Sequence, residues 1–155
     1  MAINQNLRSM PDANLQVTVA LPAANANVTS AGIDVRSGGA GSSYLVAGSQ
    51  SVAILGNSAL EQVLFTVDIP ALAAATDASK NVNAAPYDSD DNISFAAITG
   101  LTTQSVAGVA TTGSAATTLK WVLPPNTRRY VAAYVSVDNG GPAVTASSAT
   151  VSILC

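Results

Sequence analysis

Apolar and polar side chains alternate along this chain in short runs, and each run stops at a proline, glycine or asparagine. At 15–21, Leu15, Val17, Val19 and Leu21 fall on one face with Gln16, Thr18 and Ala20 on the other, and Pro22 ends the run. A period of two places alternate side chains on opposite faces of a strand, so this segment predicts a half-buried strand. The clearest run is 60–69, where Val63, Phe65, Val67 and Ile69 share a face and Pro70 stops it. Further strands are predicted at 28–35, 44–47, 51–55, 93–99, 117–123, 129–137 and 144–154. Within them Leu119, Trp121 and Leu123 share one face, as do Val131, Ala133, Val135 and Val137.

The connections follow from turn chemistry. The stretch 37–43 is Gly- and Ser-rich, and Asp138-Asn139-Gly140-Gly141-Pro142 is a turn of the kind that joins antiparallel strands. Residues 71–92 are the least regular. Alanine favours a short helical turn over 71–79, and the Asn, Pro and Asp residues that follow favour loop. Residues 1–14 read as an extended N-terminal arm, with Ile3, Leu7 and Met10 at helical spacing in a mostly polar stretch. Deleting 1–12 is expected to leave the fold intact and weaken attachment to partners.

About eight short strands separated by turn clusters predict an all-β, antiparallel β-sandwich or barrel over 15–155. Phe65, Trp121, Val63, Val67, Val131 and Val135 are the predicted core. At 155 residues one domain has enough surface to bury for a core without cross-links. The single cysteine, Cys155, permits no intrachain disulfide. No apolar core follows a basic start at the N-terminus, and no run approaches the ~18 apolar residues of a membrane helix. The expectation is a soluble protein made in a cytoplasm.

Composition then narrows the chemistry. The chain has no histidine, which removes Ser-His-Asp and Cys-His arrangements, histidine bases and most zinc sites. The only glutamate, Glu61, sits in a predicted strand, so a two-carboxylate hydrolase would have to rely on aspartates. A non-enzymatic protein without cofactors is expected. Net charge is −3, and of the six basic residues only Arg128 and Arg129 adjoin, which gives no stripe for a nucleic-acid backbone.

Asp88-Ser89-Asp90-Asp91-Asn92 offers hard oxygen ligands of the kind calcium takes. The spacing opens like an EF-hand, but Ile93 stands where glycine is needed and Thr99 where the bidentate glutamate belongs. Asp88, Asp90 and Asp91 remain weak candidates for an irregular calcium site beside the plainer reading of a solvated loop. Tyr130 and Tyr134 fall on one strand face near Arg128, Arg129 and Lys120. Such a set can stack bases or sugars, and a sheet surface packed on a neighbouring subunit explains it equally.

The segment Leu119-Lys120-Trp121-Val122-Leu123-Pro124-Pro125-Asn126-Thr127-Arg128-Arg129-Tyr130-Val131 leads from an apolar strand through a Pro-containing turn into a long alternating strand. With the closing 144–154 run, and with 26–35 and 60–69 upstream, it resembles the small jelly-roll cement (head decoration) proteins of tailed phages, such as that of Bordetella podoviruses. The resemblance spans about 24–154; the 71–92 insert and the arm depart from it. It implies a jelly roll that forms homodimers or homotrimers and binds the major capsid protein on the outer surface of the virion, clamping adjacent subunits. It carries no catalytic residues, no nucleic-acid partner and no membrane partner. The interface candidates are Ile3, Leu7, Arg8, Met10, Arg128, Arg129, Tyr130 and Tyr134. Another virion part (coat, fibre or tail) and a sugar- or calcium-binding sandwich are the alternatives.

Overall fold

A computed structural model describes residues 15–35, 45–46, 50–51, 63–75, 80–124, 126–142 and 147–154. The arm with Ile3, Leu7, Arg8 and Met10, the glycine-rich 37–43 stretch, Glu61 and Cys155 lie outside them. Twelve strands follow in chain order: β1 Gln16–Ala20, β2 Ala26–Thr29, β3 Ile33–Asp34, β4 Leu45–Val46, β5 Gln50–Ser51, β6 Leu64–Ile69, β7 Asn81–Ser89, β8 Ala96–Ala97, β9 Gln104–Ala107, β10 Thr117–Val122, β11 Tyr130–Val137 and β12 Ser148–Leu154. The described residues form no α-helix, and hence none long and apolar enough to cross a membrane.

Two antiparallel sheets make up the body. The first runs β1-β12-β6-β10. The second runs β2-β11-β7-β8, with β3 continuing the β2 edge along β11 and β9 continuing the β8 edge along β7. A hairpin of β4 and β5 is separate. Each sheet turns one set of alternate side chains into a shared core. Phe65, Val67, Val151 and Ile153 from the first meet Val82, Ala84, Val131 and Val135 from the second, all at 1% exposure or less. All six predicted core residues are buried.

Five sequence expectations change. Residues 81–89, expected as loop, form the longest strand, at the centre of the second sheet. Their inward positions are Val82, Ala84, Pro86 and Asp88, a sequence poor in β-formers, so tertiary pairing with β11 overrides weak local preference. Pro86 is tolerated because its nitrogen faces the side where β8 gives way to β9. Its carbonyl accepts the Ile98 amide there, at 3.2 Å, and the chain then leaves the ladder until Gln104.

The expected helical turn at 71–79 is extended over its described part, with Leu72 bridged to Ser114 and Ala75 to Pro142; both are buried. The expected strand 93–99 shrinks to Ala96–Ala97, because Ile93 belongs to an exposed turn. The turn at Asp138 forms, with Gly141 donating to the Asp138 carbonyl at 2.9 Å. It carries the chain from β11 to β12 in the opposite sheet, so it is a crossing between sheets and not a hairpin.

The predicted 28–35 strand is interrupted by a bulge. Three residues, 30–32, oppose two on β11, and the Ser30 hydroxyl stands in for a backbone acceptor, taking the Ala133 amide at 3.0 Å.

Candidate functional site

The aspartate cluster comes at the end of β7, where the backbone leaves the second sheet. Asp88 is on the inward side of the strand and buried, and its Oδ2 accepts the Arg128 amide at 2.9 Å. That bond pins the 124–128 crossing, which Thr127 tightens by donating both its amide (3.0 Å) and its hydroxyl (2.7 Å) to the Pro124 carbonyl. Asp90 is exposed, with its Oδ2 3.6 Å from Arg128 Nε. Such a solvated pair contributes little.

Asp91 instead organises its own turn. One oxygen, Oδ1, accepts the Ser89 hydroxyl at 2.7 Å and the amides of Ile93 and Ser94 at 2.9 and 2.8 Å. Bonds that favour the charged form, first from Ser94 and then from Ser89 and Ile93, hold this carboxyl well below the usual carboxylate range. The three candidate metal ligands therefore serve three separate tasks. Among the described residues no group of three or more acidic or thiol side chains is placed to hold a metal ion.

A pocket of about 150 Å3 opens beside Asp88, lined also by Ile98, Thr99, Asn126, Thr127 and Arg128. Sites for small organic ligands usually measure ~300 Å3 or more, so this volume suits water or a single ion better than a sugar.

The outer face of the second sheet is built differently. Register places Tyr130, Ala132 and Tyr134 of β11 beside Ser89, Tyr87 and Ala85 of β7. Three of the four tyrosines of the chain thus share one sheet surface. Tyr87 and Tyr134 stack at 4.8 Å with 12° between their planes, and Ala132 between the tyrosines is fully covered. At one end of this face Arg129 Nε and Nη2 donate to Asp34 Oδ2 at 3.0 and 2.8 Å. The guanidinium lies 5.0 Å from the Tyr130 ring centroid. Its pKa is raised above the ordinary arginine value, mainly by the hydrogen bonds to Asp34.

The described strands on this face carry no lysine and no glutamate. Tyrosine and arginine are residue types enriched at protein interfaces, whereas the serines and alanines around them on this face are not.

Of the predicted interface residues, Arg129, Tyr130 and Tyr134 come together on this face, while Arg128 turns to the Asp88–Asp90 end. Lys120, expected near the tyrosines, is on β10 in the other sheet and faces outward there, paired across from Thr66. Strands adjacent in sequence need not share a sheet, and no local signal marks that crossing. Sequence reasoning missed Tyr87 because its segment was read as loop. No family model matches the sequence, and no curated protein or solved structure matches the chain.

Proposed function

We propose that this chain is a structural virion protein without catalytic activity, a capsid decoration or cement protein. On this reading its sandwich is a jelly roll that binds the major capsid protein on the outer surface of a phage head. The observation that carries the reading is the strand order. When β2 with β3, and β8 with β9, are each taken as one column, the sheets hold eight columns, ordered 1-8-3-6 and 2-7-4-5 in chain sequence. Columns 1 and 8, 2 and 7, 3 and 6, and 4 and 5 are antiparallel neighbours. A long hairpin rolled into a barrel produces this pairing, and viral capsid proteins use that architecture.

Cupins and lectins share the architecture, so the site has to discriminate. A histidine-free chain lacks the usual cupin metal ligands. For a lectin, the stack of Tyr87 on Tyr134 leaves each of these two rings only one face for a sugar. The tyrosine-lined, charge-poor sheet face instead fits attachment by shape and apolar area, and repeated copies on a lattice strengthen weak contacts by avidity.

The test is quantitative mass spectrometry of purified phage particles. The reading expects a fixed ratio of this chain to the major capsid protein that matches a capsid symmetry site. It also expects particles stripped of the chain to burst at lower temperature. Absence of the chain from purified particles would overturn it.

A further inference from the structure

The turn that carries the chain from β11 to β12 contains Asn139-Gly140, the only Asn-Gly pair in the sequence. Asn139 is exposed. Such a pair is chemically labile in water. The backbone nitrogen that follows the asparagine attacks its side-chain carbonyl carbon, closing a five-membered succinimide and expelling ammonia. Water then opens the ring at either carbonyl, leaving aspartate or isoaspartate. A following glycine favours the attack, because no Cβ hinders the approach of its nitrogen.

The folded turn holds this pair away from reaction. Gly141 donates to the Asp138 carbonyl at 2.9 Å, Gly140 has φ 79°, and Asn139 is not among the residues with positive φ. That combination is a type II turn, whose second residue has ψ of roughly +120°. Ring closure requires the Gly140 nitrogen to eclipse the Cβ of Asn139, and this ψ turns it well away.

The turn is itself anchored to β7. Asp138 Oδ2 accepts the Asn81 amide and Oδ1 accepts the Asn83 side-chain amide, each at 2.9 Å. The Asp138 amide donates back to the Asn81 carbonyl at 3.0 Å. Gly141 is buried so tightly that a Cβ there would stand 2.8 Å from Val137 Cγ1. Bringing Asn139 into the reactive geometry therefore requires the turn to open away from β7.

We propose that Asn139 is a deamidation site gated by this turn, and that Asp138 is the residue that keeps the gate closed. The product places a new carboxylate beside Asp138, and isoaspartate also adds a methylene to the backbone. Both loosen the crossing between the two sheets. The modification does not depend on attachment to particles, so its test stands apart from that of the proposed function.

The experiment is peptide mapping by mass spectrometry, with chromatographic separation of isoaspartate, after incubation of the full chain in mildly alkaline buffer. In urea, Asn139 should deamidate faster than the other asparagines of the chain. In the folded chain its rate should be lower by about tenfold or more, as for a site reached only through local opening. Asp138→Ala and the milder Asn83→Ala should each raise the folded-state rate by about threefold or more, the effect of losing a net hydrogen bond. In urea both variants should match wild type. Far-UV circular dichroism confirms that each variant is folded. Equal rates in the folded and the urea-unfolded wild type overturn the proposal, as does an Asn139 that stays intact in urea. Folded variants that deamidate no faster than wild type overturn the role of Asp138.

Discussion

Replacing Trp121 with alanine tests how the edge of the first sheet is held. Trp121 is on β10, an edge strand, yet it is only 5% exposed. Its ring packs on Phe65 at 6.0 Å with 51° between planes, and Nε1 donates to the Thr102 carbonyl at 2.8 Å. Truncating a buried tryptophan costs about 3–5 kcal/mol, from lost transfer energy and the cavity left behind. The lost hydrogen bond adds little, because Thr102 is exposed and its carbonyl regains water. An edge position also lets the strand settle partly into the space. The expected loss is therefore in the lower half of that range, about 3–4 kcal/mol, or a Tm lower by roughly 10 °C in a domain of this size.

Because Trp121 is the only tryptophan, urea unfolding should be followed by far-UV circular dichroism, with the slope unchanged and the midpoint lowered. Trp121→Phe, which keeps a ring against Phe65, should lose less than about 2 kcal/mol. An alanine variant within about 1 kcal/mol of wild type would refute the packing argument.

Four further outcomes follow from the same structure. Gly113→Ala should destabilise by at least about 2 kcal/mol in urea, because φ is +71° and the new Cβ would stand 2.0 Å from the Leu72 carbonyl oxygen; parity with wild type would contradict the Leu72–Ser114 bridge. Asp91→Ala should lower Tm at neutral pH. Since the folded pKa of Asp91 is depressed, its contribution is complete above the unfolded value of roughly 4 and is lost as pH falls below it. The Tm gap between variant and wild type should narrow from pH 5 to pH 2, and a gap constant over that range would count against the turn. Asp88→Ala, which strips the Arg128 amide of its acceptor, should cost about 1–3 kcal/mol. Calcium or EDTA should leave the wild-type Tm unchanged, whereas a clear calcium-induced rise would restore the metal reading.

Strands with strong alternation were legible in the chain itself. Val63, Phe65, Val67 and Ile69, and likewise Val131, Ala133, Val135 and Val137, sit on the core face their spacing predicts. What local pattern hides is where tertiary pairing decides. The β7 segment is rich in Asn and Ala and interrupted by Pro86, and it becomes a central strand only because β11 offers a matched eight-residue ladder. Ile93 alternates with later residues as a strand would, but Asp91 captures the amides of Ile93 and Ser94 and folds them into a turn. The tyrosine face was half visible. Tyr130 and Tyr134 are two residue pairs apart on one strand, whereas Tyr87 joins them through a register that no local spacing encodes.

The most direct test of the virion assignment is an electron cryomicroscopy map of the intact particle, compared with one from particles lacking this chain. The account predicts protrusions on the outer capsid surface, absent from the second map, into which the two-sheet sandwich fits as a rigid body with its tyrosine face toward a capsid subunit. Two identical maps with a bare outer surface would contradict it.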